Sequence, residues 1–122
     1  MMHALLVIVF IIVAVSLWAW LSNRSAPEAV VVQALKDGAR VIDVRTVREY
    51  NGGHYPGSVN IPVNQISARS KTLGDTSKTV IVYCHSGMRS ASARKLLLNK
   101  GFKNVINAGS YHHIMRLTSK KK

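Results

Sequence analysis

Eighteen consecutive residues, Ala4 to Leu21, include one conventionally polar side chain, Ser16. Wound into a helix at about 1.5 Å per residue, the run is roughly 27 Å long, close to the hydrocarbon thickness of a thin bilayer. A buried core helix of this kind needs a larger protein around it than 122 residues supply. A cleaved signal peptide needs a basic leading region and a small-x-small cleavage site. Met1, Met2 and His3 precede the run without Lys or Arg, and Trp18-Ala19-Trp20-Leu21 closes it with bulky side chains. Ala26 makes a poor cleavage point, with Arg24 two residues before it and Pro27 after it. Tryptophan suits the membrane–water interface, where the ring meets acyl chains and the indole N–H meets headgroups. The pattern predicts a retained single-pass transmembrane helix over 4–21.

Beyond the apolar run lie a polar linker at 22–27 and one domain of modest size at 28–122, which excludes a two-domain enzyme. All 17 Lys and Arg and all 5 Asp and Glu belong to that part, so the whole net charge of +12 falls on it. Basic residues come after the span and none precedes it, which predicts a cytoplasmic domain. The charge, ending in Lys120-Lys121-Lys122, suits an anionic lipid surface. The basic residues are scattered and carry no aromatic-basic stripe, so no nucleic-acid partner is expected. A single cysteine, Cys84, excludes zinc-finger and disulfide-framework classes.

Apolar spacing organises the domain. Residues 28–37 predict a helix with Ala29, Val31 or Val32, and Leu35 on one face, stopped by Gly38. VIDV at 41–44 predicts a strand that exposes Asp43 and Arg45 near its end. Thr46 and Glu49 have capping-box spacing for a short helical turn. Next come a brief strand over 59–61, a loose helical segment within 64–73, and a central buried strand over 79–83. Residues 89–98 predict a helix whose inward stripe is Ala91, Arg94, Leu97 and Leu98. Val105-Ile106 is a last short strand before Asn107-Ala108-Gly109-Ser110 and a basic helix. Alternating strands and helices imply an α/β fold, a parallel sheet covered on both sides.

The stretch IVYCHSGMRSASARKLLL carries the chemistry. Cys84 lies at a strand-to-helix junction, where loop N–H groups and the positive end of a helix form an anion-binding concavity. Gly87 permits backbone angles that a Cβ obstructs. A thiol held there ionises below the free value of about 8.5. The competing reading is a free cysteine packed as a small hydrophobe.

Taken in order, VIDVR at 41–45, GHYPGSVNIP at 53–62, YCHSGMRS at 83–90 and KGFKNVINAG at 100–109 resemble the signatures of single-domain rhodaneses, a family of thiosulfate and persulfide sulfurtransferases. The resemblance covers roughly 28–115. It implies a small parallel sheet of four or five strands flanked by helices. It also implies a persulfide carried on Cys84, cradled by His85, Ser86, Gly87 and Met88, with Arg89 closing the loop. Related phosphatases and arsenate reductases separate cysteine and arginine by five residues. Here Cys84 and Arg89 are separated by four and Ser90 stands at the phosphatase position, which favours the tighter sulfur cradle.

Under this reading the donor is a small anionic sulfur compound, and the acceptor is an external thiol such as glutathione or a thioredoxin-like protein. No cofactor or metal is implied, and His112-His113 lacks the companions of a metal site. Asp43 is expected to organise nearby loops, Arg45 to form an ion pair with Asp43 or Glu49, and His54 to fix its own loop. His85 either adds positive potential beside the thiolate or faces solvent. The competing function is a membrane-anchored, non-enzymatic binding module. Two departures from the family pattern stand out. Ile114 replaces a tryptophan, which predicts a looser final helix, and the N-terminal edge strand is missing or reduced to a vestige near 25–27.

Overall fold

Runs of β-branched residues with few charges favour extended backbone buried on both faces. Four strands, of which one is such a run throughout, pair in parallel in a computed structural model that describes residues 1–121. They are β1 (Arg40–Asp43), β2 (Val59–Asn60), β3 (Val80–Cys84) and β4 (Val105–Ser110), in the spatial order β2-β1-β3-β4. All five residues of β3, the apolar run VIVYC, are buried.

Helices cover both faces, as parallel crossovers require. On one side α2 (Glu28–Lys36) and α6 (Tyr111–Lys121) pack Val31, Leu35, Ile114 and Leu117 onto Ile81 and Tyr83. On the other, α4 (Ile66–Arg69) and α5 (Met88–Asn99) pack Ile66, Ala93 and Leu97 onto Ile42 and Val82. Each fully buried Leu, Ile or Val contributes roughly 1.5–3 kcal/mol of transfer free energy. Between β1 and β2 lies α3 (Val47–Asn51), opened by the predicted capping box: Thr46 Oγ1 accepts from the Glu49 N–H at 3.2 Å, and the Thr46 N–H donates to Glu49 Oε1 at 3.2 Å. Short 3₁₀ turns at 63–65 and 70–73 flank α4, and Gly74 ends the segment.

The first helix, α1 (Met2–Ser22), is slightly longer than the predicted 4–21. None of its residues is buried, and it is long and apolar enough to cross a membrane. Lys122, the last of the three terminal lysines, lies outside the described residues.

Several expectations are corrected. The inward face of α2 is Val31, Ala34 and Leu35, and Ala29 is exposed. That of α5 is Ser90, Ala91, Ala93 and Leu97, while Leu98 is exposed and Arg94 only partly buried. The buried stripe runs through the small residues at 90, 91 and 93 to Leu97, and Leu98 lies outside it. Asp43 and Arg45 are buried, because each neutralises the other at the sheet edge.

Strand β4 continues through Asn107-Ala108-Gly109-Ser110, a turn-like composition held in the sheet by pairing. Val82 faces Asn107, Tyr83 faces Gly109, and the register shift between them leaves Ala108 as the extra residue of a bulge. The final helix is packed by Ile114 and Leu117, both fully buried, so an aliphatic side chain at 114 anchors it without an indole. At the outer edge of β4 the linker makes a backbone hydrogen bond, from the Ala26 N–H to the Asn107 carbonyl at 2.8 Å, and the described sheet has four strands.

Candidate active site

Parallel strands end together, so β1, β3 and β4 deliver their last residues to one edge of the sheet, where ligands of such folds bind. Cys84 is the last residue of β3 and has no exposed surface. The chain then turns through His85 and Ser86 to Gly87, whose φ of +95° makes it the N-cap of α5. A Cβ at Gly87 would sit 3.3 Å from the Cα of Gly109, so glycine is needed for both conformation and space.

This turn places the sulfur beneath the start of α5. The Gly87 N–H donates to Cys84 Sγ at 3.0 Å, the Ser90 N–H approaches at 3.4 Å, and Ser90 Oγ lies at 3.5 Å. Burial pushes the thiol up, but the polar groups that Ser90, Gly87 and Ser86 place around the sulfur outweigh it and lower Cys84 from the ordinary thiol value. Donors aimed at one sulfur stabilise a thiolate, and equally any anion formed on that atom.

Ser90 is fully buried, and its Oγ lies 2.7 Å from Asn107 Oδ1 and 3.1 Å from the Gly87 carbonyl. A hydroxyl has one proton, and the shortest of these contacts takes it. Support for the sulfur therefore falls mainly on the two backbone N–H groups. Asn107 also accepts from the Gly109 N–H at 3.0 Å and donates through Nδ2 to the Gly87 carbonyl at 3.3 Å. Ser90 and Asn107 thereby tie the cradle to β4. Sequence reasoning assigned neither of them to the site. The available signal was a serine in the first turn of α5, where side chains lean back toward the N-terminus.

Arg89 lies at this helix start but is engaged with α3. Its NH1 and NH2 donate to Glu49 Oε1 and Oε2 at 2.7 and 3.0 Å. The Arg89 guanidinium, together with the Thr46 hydrogen bonds and against a smaller cost of burial, lowers the Glu49 carboxyl to about 2. Arg45 has Asp43, not Glu49, as its carboxylate partner.

Asp43 closes β1, and its carboxylate takes four donors. They are the Arg45 backbone N–H at 2.9 Å, Arg45 Nε at 3.0 Å, Arg45 NH2 at 2.6 Å and the Tyr83 hydroxyl at 2.6 Å. Arg45 NH2 also donates to the Gly53 carbonyl at 2.7 Å, and its guanidinium lies 4.6 Å from the centre of the Tyr111 ring. Burial, then the bond to the Asp43 carboxylate, pushes the Tyr83 hydroxyl up to about 12, so it stays protonated. It accepts in turn from the Tyr55 N–H at 3.0 Å. The network ties the ends of β1 and β3 to the 53–58 loop.

The remaining candidates sit around this frame. His54 Nδ1 pairs with the Tyr50 carbonyl at 2.8 Å and its ring stacks on Tyr50. His85 is exposed, with its ring centre 6.5 Å from that of His112. Met88 is 71% exposed and opens α5. Among the described residues no three His, Cys, Asp or Glu side chains gather as a metal-binding group.

Comparison with known proteins places this geometry. Residues 27–114 match the model of the rhodanese-like domain. The chain is 32% identical to the thiosulfate sulfurtransferase GlpE of Pseudomonas savastanoi pv. phaseolicola over 97 residues, 79% of this chain and 89% of that protein. It is 38% identical to the thiosulfate sulfurtransferase PspE of Escherichia coli over 74 residues, 60% of this chain and 71% of that one. A putative sulfur carrier protein of Bacillus subtilis, YrkF, is 34% identical over 91 residues, 70% of this chain. The match spans about half, 49%, of the Bacillus protein's length. Among solved structures, a rhodanese with anions from E. coli superposes with a TM-score of 0.59 at 36% identity, over 62% of this chain and 89% of that one. The human single-domain sulfurtransferase TSTD1 gives 0.60 at 27% identity, over 69% and 88%. With most of its length inside that family model, the chain belongs to the rhodanese-like domain family.

Proposed function

We propose that the domain moves sulfane sulfur from thiosulfate or a persulfide donor, through a Cys84 persulfide, to cyanide, a low-molecular-weight thiol or a protein thiol. The observation that carries this reading is the convergence of the Gly87 and Ser90 N–H groups on Cys84 Sγ at the start of α5. Family membership supports sulfurtransferase chemistry of this general type.

In the first half-reaction the Cys84 thiolate attacks the outer sulfur of thiosulfate. A new S–S bond forms, the S–S bond of the donor breaks, and sulfite leaves with its electron pair. The persulfide anion then rests on the donors that held the thiolate. His85, Ser86, Gly87 and Met88 form the cradle, Arg89 carries charge at its rim, and Asp43, Arg45 and His54 hold the loops that frame it. In the second half-reaction a nucleophile attacks the outer sulfur and the Cys84 thiolate departs. The chain has no second cysteine to resolve the persulfide, so the acceptor is external.

The same reading assigns 4–21 to a membrane span, 22–27 to a linker and 28–122 to the transferase domain on the cytoplasmic side. The apolar first helix and the absence of Lys and Arg before it support this arrangement.

Mass spectrometry of the purified, detergent-solubilised chain after incubation with thiosulfate tests the reaction. The expected result is a gain of one sulfur atom that cyanide removes, absent in Cys84→Ser. An unmodified Cys84 after thiosulfate, polysulfide and glutathione persulfide would overturn the proposal.

A further inference from the structure

Helix α5 has no acidic residue in its first turn, and Arg89 adds a cation where the helix end is already positive. The missing negative charge comes from another element. The capping box of α3 holds the Glu49 carboxylate in place, with Thr46 Oγ1 a further 3.1 Å from Oε1. From there Glu49 takes both terminal nitrogens of Arg89 across 40 residues of sequence. The two side chains remain 33% and 34% exposed, so the pair lies at the rim of the site, where approaching ions meet it. Arg89 opens the same helix whose first N–H groups hold the Cys84 sulfur, and negative charge on Cys84 favours the Arg89 cation.

We propose that Glu49 determines which anions reach Cys84: by neutralising Arg89 it weakens the pull on doubly charged sulfur donors relative to singly charged ones. Its role as a donor filter rests on the transfer reaction proposed above, whereas its control of anion approach to the sulfur does not. The carboxylate acts through Arg89 and touches no reacting atom, so it is a specificity-determining residue and not a catalytic one.

Glu49→Gln is the informative variant, because a glutamine serves the capping box as a glutamate does. Cys84 is the single cysteine, so alkylation of the full chain reports on one sulfur. Iodoacetate carries a negative charge and iodoacetamide none. Both react with the same thiolate, so the ratio of their rates cancels its ionised fraction and reads the local potential.

The ratio should rise about three- to eightfold in Glu49→Gln, the effect of one uncompensated charge several ångströms away in a partly solvated site. It should fall in Arg89→Gln, where Glu49 is left bare. In the double variant Glu49→Gln/Arg89→Gln it should return near the wild-type value, since a neutral pair and two neutral side chains present the same net charge. In steady state, Glu49→Gln should lower KM for thiosulfate, a dianion, more than for methanethiosulfonate, a monoanion, with kcat moving less.

An unchanged or lowered ratio in folded Glu49→Gln overturns the inference. If that variant fails to fold, a ratio that does not fall in Arg89→Gln overturns it instead. A raised ratio with no sulfur transfer by the wild type would remove the reaction while leaving Glu49's control of anions at Cys84 standing.

Discussion

Replacing Asp43 by alanine attacks the frame of the site without touching the sulfur. The carboxylate is fully buried and takes three side-chain donors, from Arg45 and Tyr83, and one backbone donor, from Arg45. Its loss strands a guanidinium that is 6% exposed, with only the Gly53 carbonyl and the faces of Tyr83 and Tyr111 as compensation. Removing one partner of a buried ion pair costs about 3–5 kcal/mol. For a domain of this size each kcal/mol lowers Tm by about 4–8 °C, so the expected fall is on the order of 12–40 °C. Replacing both partners by apolar side chains, Asp43→Leu/Arg45→Met, leaves no stranded charge and should recover most of the loss.

Thermal unfolding of the detergent-solubilised chain, followed by near-UV circular dichroism, measures both effects. Tyr83 and Tyr111 flank Arg45, so the signal comes from the network itself. A single variant within about 1 kcal/mol of wild type would mean that water reaches and screens the pair. A double variant less stable than the single would mean that shape, not charge, holds the corner. Either result refutes the reasoning.

Four other outcomes are expected from the site and the first helix. Alkylation of Cys84 by iodoacetamide should rise with pH through a midpoint below the roughly 8.5 of a free thiol, so the thiolate persists at pH values where an ordinary cysteine is protonated; a midpoint at or above that value would contradict the hydrogen-bonded cradle. Ser90→Ala should slow sulfur transfer by less than about tenfold, because its proton goes to Asn107; a larger loss, read in steady-state kinetics, would make the hydroxyl the principal donor to the sulfur. Arg89→Ala should slow transfer from thiosulfate by about ten- to a hundredfold, the loss of one charge-assisted contact, and unchanged initial rates would remove Arg89 from the proposed site. The full chain should stay with membranes through alkaline carbonate extraction, and a reporter fused after Lys122 should resist external protease in intact cells; extraction would sink the anchor, and digestion would reverse the orientation.

The parts of the fold legible in the sequence are those set by short-range pattern. The VIVYC run announces a central strand, and the Thr46–Glu49 spacing delivers the capping box. Residues 28–36 form the expected helix because their apolar spacing agrees with the sheet they cover. Where the reading failed, a distant partner had decided the outcome. Asn107-Ala108-Gly109-Ser110 has the composition of a turn, and only pairing with Tyr83 and Cys84 makes it a strand. The pairing of Arg45 with a nearby carboxylate is legible from their spacing, but the burial of Asp43 and Arg45 is not, because it needs Tyr83 from a strand 40 residues away. Leu98 fits a helical stripe by spacing, yet the face that meets the sheet runs through Ser90, Ala93 and Leu97 and leaves it outside.

The same distinction explains why the sulfur was legible and its support was not. Cys84 and Gly87 belong to one short loop, so the conformation that aims an N–H at the sulfur is local. The position of that loop is set from β4. Register shifts by one residue at the bulge, which brings Gly109, at φ +84°, beneath Gly87 while Asn107 still faces Val82. From that place Asn107 receives the Ser90 hydroxyl and the Gly109 N–H and bonds the Gly87 carbonyl, so one amide fastens both ends of the turn around the sulfur. Without the bulge, residues past Asn107 would point to the opposite face of the sheet, and Gly109 would no longer meet the loop. The acidity of the thiol therefore depends on pairing with a segment well further along the chain, whose composition gives no hint of it.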